Sequence, residues 1–255
     1  MIPEQRRQRI AGLVREFGSI TVAGLEEDLG VSSATARRDL AVLERQGRIR
    51  RTHGGAVLPG LTRQEDSFQQ RLEEAVGAKK RLAQAAVDLL EEDETVFIDS
   101  STTAYYAAQR VLAAVQRVTL LTNLVPAMEL LITVESPNAE LIGMGGSFRK
   151  LTLSFVGPCT VRMVESYLTD KVFFSVKGVT PEGYLTDSNS LETEVKRAMI
   201  KQAARPVLLV DGRKFERRGL RVITHVSEVS LVLAADATKA RVEALAESGV
   251  EVRCV

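Results

Sequence analysis

Ile10, Leu13, Val14 and Phe17 recur at i, i+3, i+4 and i+7, the spacing of a single helical face, and Gly18 follows them at a C′ position. Thr21 is placed to cap a second, shorter helix that turns Val22, Leu25 and Leu29 inward and stops at Gly30. Ser32 or Ser33 caps a third helix, with Ala36, Leu40 and Leu43 as its buried stripe and Gly47 beyond its end. Two short helices across a tight turn make a helix-turn-helix, whose second member is offered as recognition helix. After it, "GRIRRTHGGA" alternates charged and apolar positions and turns on Gly54-Gly55, which predicts a two-stranded wing.

The pattern changes past residue 58. Pro59-Gly60 and the polar residues to Asp66 read as a connection, and Leu82, Ala86, Leu89 and Leu90 then form one helical face. Beyond it, short apolar runs ("TVFID", "VTLLT", "AELIGM", "KVFFSV", "PVLLV", "VSLVLAA", "VEVRCV") alternate with helical stretches such as "TTAYYAAQRVLAAV" and "LETEVKRAMIKQA". Strands alternating with helices predict a mainly parallel sheet covered on both faces. The fold class expected is therefore α/β: a winged helix-turn-helix domain over 1–58, a linker over 59–77, and a larger open α/β, Rossmann-like domain over 78–255.

Composition narrows the class. The 255 residues are 45% hydrophobic and 26% charged, an ordinary globular mixture with ample core material. No apolar run approaches bilayer-crossing length, and "MIPEQRRQRIAG" lacks the apolar stretch of a signal peptide. Cys159 and Cys254 stand far apart in neither a redox nor a metal spacing, and unpaired thiols suit the reducing cytoplasm. His53 and His225 are the only histidines, so zinc would need four scattered ligands, and no metal site is expected.

Charge is uneven: 34 Lys and Arg face 33 Asp and Glu overall, yet residues 1–58 hold ten Arg, no Lys and seven acids. A basic head on a faintly acidic body suits an anionic polymer. Ser33, Thr35, Arg37 and Arg38 cluster in the first two turns of the third helix, the part that enters a major groove, with Ser32 at its start. Guanidinium groups grip guanine edges or phosphates bidentately, and small hydroxyls reach them without blocking approach. Arg48, Arg50, Arg51 and His53 would face the DNA backbone from the wing, so double-stranded DNA is the expected partner.

In open α/β sheets ligands bind beyond the carboxyl ends of the strands. "TVFI" is followed by Asp99, Ser100, Ser101, Thr102 and Thr103, where hydroxyls and successive N–H groups at a helix N-terminus make an anion-binding nest. Later strands end on Thr122-Asn123, on Gly145-Gly146 followed by Arg149, on Lys177-Gly178, and on Asp211 to Lys214. "GMGG" opens no helix and is no dinucleotide fingerprint. Taken together, these ends suit a small polyhydroxylated anion, with the nest and Lys214 on a phosphate and Asp99, Asn123 and Asp211 on sugar hydroxyls.

The stretch "ITVAGLEEDLGVSSATARRDLAVLERQGRIRRTHGGA" resembles the DeoR family of bacterial transcription regulators. The signature residues are Ser32, Thr35, Arg37, Arg38, Asp39 and Leu40, then Arg51, His53, Gly54, Gly55 and Ala56. Ala36 departs from the branched apolar residue usual there, on the buried stripe. "IDSSTTA", "LTN", "MGGSFR", "FVGP" and "VDGRKF" continue the resemblance, to an effector domain similar in fold to ribose-phosphate isomerases. It implies a sugar-phosphate effector held by Asp99, Ser101, Thr102, Thr103, Asn123, Gly145, Gly146 and Lys214. Lys177 and Gly212-Arg213 depart from the family pattern; the extra bases suit either a more anionic effector or, the preferred expectation, side chains in solvent.

The expected function is a cytoplasmic transcription regulator, a repressor of a carbohydrate-catabolic operon released by a phosphorylated sugar. Paired DNA half-sites imply a homo-oligomer, a dimer or larger, with the helix of 79–90 and exposed body strands as candidate interfaces. No cofactor and no catalytic residue is expected. The alternative is a sugar-phosphate isomerase in which Asp211, Glu194 and Lys214 shuttle a proton, though no dedicated base motif supports it. Ser100 and Ser101 lack the nucleophile elbow of a hydrolase, and His225 reads as a strand-end residue.

Overall fold

The computed structural model describes residues 2–17, 19–52, 54–57, 65–115, 117–134 and 139–255. Gly18, His53, Pro59 and Gly60 lie outside the described residues. The chain forms two compact units, Met1–Leu61 and Thr62–Val255.

In the first unit, α1 (Pro3–Phe17), α2 (Val22–Leu29) and α3 (Ser33–Arg45) enclose a small core. Ile10, Val14, Leu25, Ala36, Leu40 and Leu43 are each at most 1% exposed. Thr21 caps α2, its hydroxyl accepting from Gly24 N at 3.0 Å, and Ser32 caps α3. Such caps contribute about 1 kcal/mol each. Gly30 takes the left-handed conformation, φ 63°, that ends α2.

The wing has one strand more than expected. β1 (Ser19–Thr21), β2 (Arg50–Thr52) and β3 (Gly55–Val57) form an antiparallel sheet in the order β1-β3-β2. Gly55 therefore lies in a strand between two neighbours, and only Gly54 sits in the turn. A Cβ on Gly55 would lie 2.0 Å from the Ile20 carbonyl oxygen and 2.8 Å from Thr21 Cα. The glycine is required by that close approach.

The second unit begins earlier than the expected boundary. α4 (Phe68–Glu73) falls in the segment expected as linker, yet Phe68 is 3% exposed and packs edge-on against Tyr105, ring centroids 5.7 Å apart. A capping box between Ser67 and Gln70 starts this helix. Then come α5 (Val76–Val87), β4 (Glu94–Ile98), α6 (Thr102–Ala114), β5 (Val118–Thr122), α7 (Val125–Thr133) and β6 (Ala139–Gly143). A hairpin of β7 (Ser147–Arg149) and β8 (Ser154–Val156) leads to α8 (Pro158–Glu165) and β9 (Thr169–Phe174). β10 (Gly178–Val179) and β11 (Tyr184–Asp187) precede α9 (Ser190–Gln202) and β12 (Ala203–Asp211). The chain closes with β13 (Arg221–His225), β14 (Leu231–Ala235), α10 (Lys239–Ala246) and β15 (Glu251–Cys254).

Seven strands, those read from the apolar runs, form one sheet in the order β15-β14-β12-β9-β4-β5-β6, every pair parallel. Alternate residues feed two cores: Ile98, Leu120, Phe173, Leu209 and Leu233 on one face, Phe97, Leu121, Phe174, Leu208 and Val232 on the other. Burial on both faces explains why the five interior runs are continuously apolar, whereas the edge strands β6 and β15 carry the exposed Glu140, Glu251 and Arg253. Strand order reverses between β4, which leads to β5 and β6, and β9, which leads to the remainder. Such a switch point opens a crevice at the carboxyl ends of the two strands. β10, β11 and β13 make a separate small sheet nearby in the chain.

Candidate functional site

The loops leaving β4 and β9 meet at that crevice. One brings Ser101, Thr102 and Thr103, the other Ser175, Val176 and Lys177, and the cleft they line is completed by Glu65, whose carboxylate is held by Arg149, and by Arg71, Asp187, Ser188, Lys196 and Lys214. Ser101 caps α6, its hydroxyl accepting from Ala104 N at 3.1 Å. The first-turn N–H groups of Thr102 and Thr103 have no preceding turn to bond, so they and the hydroxyls face a region of positive helix-end potential.

Beneath the nest lies a network of buried charge. Asp99, 0% exposed, accepts from Ser101 N at 2.9 Å and Ser175 N at 3.2 Å, and from the Lys196 ammonium. Its carboxylate thus ties the β4 and β9 loops to α9. Lys196 lies 3.7 Å from Asp187 as well. Burial opposes its charge, but Asp99 and Asp187 outweigh burial and hold the ammonium above its ordinary value. Burial pushes the Asp187 carboxyl up despite Lys196. Ser100 donates to Glu192 at 2.6 Å, and Glu192 also accepts from Ser154 at 2.7 Å, which anchors the β7–β8 hairpin to α9.

Two cations in the cleft have no carboxylate partner among the described residues, Arg71 and Lys214. Arg71 Nε and Nη2 are buried without an acceptor. Burial pushes the Lys214 ammonium down to about 8; Asp211 pulls it up, and Arg71, Arg217 and Arg213 add to the depression. An unpaired buried donor costs about 1–3 kcal/mol, which an anion accepting from it would offset. Lys79, below the strap formed by α4, donates to the Arg71 carbonyl, and burial pushes it down to about 7.

In the first unit, Arg37 and Arg38 are exposed on α3, and neither makes an ion pair among the described residues. Ser32 and Thr35 sit at the same end, their hydroxyls 3.1 Å apart. Asp39, between these arginines and Leu40, is 4% exposed and points the other way, to Arg6 Nε at 2.5 Å and Arg7 Nε at 3.6 Å. It fixes α3 to α1, leaving the opposite face for a groove.

Residues 6–61 match the DeoR-like helix-turn-helix domain and residues 74–239 the DeoR C terminal sensor domain. The chain belongs to the DeoR family. It is similar to the HTH-type transcriptional regulator YulB of Bacillus subtilis, 31% identical over 256 residues, 100% of this chain and 98% of that one. The L-fucose operon activator of Escherichia coli is 33% identical over 230 residues, covering 89% of this chain and 93% of that one. The lactose phosphotransferase system repressor of Staphylococcus epidermidis is 31% identical over 229 residues, covering 89% and 90%. Among solved structures, ribose 5-phosphate isomerase A of Methanocaldococcus jannaschii aligns over 55% of this chain and 54% of its own, at 16% identity and a TM-score of 0.41. This DeoR-family protein is a transcriptional regulator and not an enzyme.

Several expected site residues are occupied elsewhere. Asp99 and Ser100 organise the loop through the bonds just given and are not exposed to the cleft. Asn123 Nδ2 donates to Phe155 O at 2.8 Å and holds the β7–β8 hairpin, although its Oδ1 is buried without a partner. Gly145 and Gly146 lie between β6 and β7, outside the cleft lining; a Cβ on Gly146 would meet Thr160 Oγ1 at 2.0 Å. Asp211 is 2% exposed and bound by Arg213 at 2.9 Å, so it is not free for a sugar hydroxyl.

The preference for solvent at the extra bases is overturned. Lys177 is 8% exposed and paired with Asp66 at 3.1 Å. Arg213 bridges Asp211 and Glu74, both at 2.9 Å. Both lie where α4 and its flanks supply carboxylates. Arg149 likewise grips Glu65 bidentately, at 2.7 and 2.6 Å. The isomerase trio does not assemble either: Glu194 is on the solvent face of α9, paired with Arg197, opposite the face that carries Lys196. His225 ends β13, bonded to Ser227 and the Glu182 carbonyl.

Sequence reasoning missed Glu65, Arg71, Ser175, Asp187, Ser188 and Lys196. Lys196 had a signal: Glu192, Val195, Lys196 and Met199 fall on one helical face, so two charges share a stripe with apolar residues. Arg71 had a fainter one, three residues after Phe68 in a segment otherwise polar.

Proposed function

We propose that this regulator is a repressor of a sugar-utilisation operon, and that a phosphorylated sugar entering the cleft releases it from operator DNA. The observation that carries this reading is the meeting, at the switch point, of the α6 hydroxyl nest with the unpaired Lys214. A phosphate accepts from N–H, hydroxyl and ammonium donors together, while the remaining rim of Asp187 and Ser188 suits sugar hydroxyls. The relatives named for fucose, aga and lactose operons support a carbohydrate effector. No cofactor enters this cycle.

Residues 1–58 would read DNA, with Arg37, Arg38, Ser33 and Thr35 entering the major groove and Arg48, Arg50, Arg51 and His53 holding phosphates. Two recognition helices are needed for paired half-sites, so the working form is a homo-oligomer. No helix among the described residues is long and apolar enough to cross a membrane.

The test is binding of the full chain to DNA upstream of its own gene, at fixed salt, with and without a panel of sugar phosphates. Tight binding released by one compound supports the reading and names the effector. Tight binding that no compound disturbs refutes the effector assignment, and enhancement by a compound refutes repression by the free form.

A further inference from the structure

We propose that Arg71 is an effector-binding residue, and that α4, which carries it, is the element through which occupancy of the cleft reaches the chain leading to the DNA-binding unit. This rests on the cleft being an anion site, as argued above.

α4 is a strap across the cleft, fastened on both sides. Before it, Glu65 is held by Arg149 and Asp66 by the cleft residue Lys177. After it, Glu74 is held by Arg213 at 2.9 Å and Arg217 at 3.4 Å. Phe68 is buried in the core, and the Arg71 carbonyl accepts from Lys79, with Thr102 Oγ1 of the nest at 3.4 Å. The polar fastenings satisfy backbone and carboxylate groups of the strap, but not its one guanidinium. The Arg71 guanidinium enters the cleft with Nε and Nη2 buried and unpaired.

A guanidinium presents its donors in a planar fork that fits two oxygens of a phosphate or carboxylate. Leaving Nε and Nη2 buried and unpaired is unfavourable, and an oxyanion on the nest that accepts from them removes the penalty. The same anion competes with Asp66 for Lys177, so the ligand gains one contact with the strap and loosens another. Differential contacts of this kind are what a ligand needs to shift a conformational equilibrium. Only residues 58–67 separate α4 from β3 of the wing, so a change in the strap acts on the covalent path to the DNA-binding unit.

The test uses the full chain with inorganic phosphate as probe, followed by calorimetric titration and by amide hydrogen exchange over residues 67–74. The wild type is expected to bind phosphate and to slow exchange in α4 at least tenfold. Arg71→Gln is expected to weaken phosphate binding at least tenfold and abolish the protection without lowering the melting temperature, since it removes buried unpaired donors. Arg71→Lys, which keeps charge without the fork, is expected to bind with intermediate affinity; it decides the matter if the Gln variant does not fold. Phosphate affinity unchanged in both variants, or saturation without protection of α4, overturns the proposal. If Lys214→Gln abolishes binding while the Arg71 variants bind normally, the cleft remains the anion site and only the role of Arg71 fails. If phosphate protects no part of the cleft, both readings fall.

Discussion

Raising the pH from 7 to 9 is expected to weaken effector binding about tenfold through Lys214 alone. Burial sets the Lys214 ammonium at about 8, so it is charged at pH 7 and mostly neutral at pH 9. About nine-tenths of the molecules carry that charge at the lower pH and about one-tenth at the higher, if an anion binds only the charged form. The ratio corresponds to ~1.4 kcal/mol. A phosphate monoester has its second pKa near 6 and is about nine-tenths dianionic at pH 7, so the ligand contributes little over this interval. The assay is titration of the sugar phosphate that releases operator DNA, at constant ionic strength across the range. Lys214→Arg keeps its charge throughout and is expected to bind with a flat profile, while Lys214→Gln binds weakly at every pH. A wild-type profile as flat as that of the Arg variant would refute the contact between Lys214 and the effector's charge.

Arg37→Ala is expected to cost operator binding about 1–3 kcal/mol at matched salt while leaving effector binding intact; unchanged operator affinity would remove α3 from the groove. Asp39→Asn breaks a pair whose side chains are 13% and 6% exposed, and is expected to destabilise the first unit by ~3 kcal/mol in urea unfolding. An unchanged urea midpoint would mean that α1 is not held to α3 by this pair. Lys79, depressed by burial to about 7 from 10.5, sheds its proton in the folded state while the unfolded chain retains it. Stability of the second unit is therefore expected to rise between pH 7 and 10, and Lys79→Met to reduce that rise in thermal melts, leaving the part due to Lys214.

The five interior sheet strands were legible because a parallel strand buried on both faces is a continuous apolar run, while the edge strands β6 and β15 were read from runs broken by Glu140 and by Glu251 and Arg253. The caps were legible for a similar local reason: Thr21, Gly30 and Ser32 act on their own backbone. β1, α4, the β7–β8 hairpin and β10 are two to six residues long and mixed in polarity, so their shape depends on distant partners. Ile20, for instance, is strand only because Ala56 lies opposite it. The site followed the same division. Ser101, Thr102, Thr103 and Lys214 follow strands directly and could be counted off. Arg71 and Lys196 reach the cleft from helices whose charged residues look solvated until the packing is known. Asp99 and Asp211, read as ligand contacts, are consumed by Lys196 and Arg213, pairings that sequence separation and unknown side-chain direction concealed.

The strand order also dictates when the sensor can exist during synthesis. β4, β5 and β6 emerge consecutively and pair outward, so one half of the sheet assembles while the other edge of β4 stays open. That edge waits for β9, and the cleft waits longer still, for α9 and the residues after β12. The DNA-binding unit, by contrast, needs nothing beyond its own short-range contacts and is complete early. A ribosome stalled before residue 169 would thus present a finished DNA-binding unit followed by a half-sheet with an unpaired apolar edge, competent to touch DNA, blind to the effector and prone to pair with its own kind.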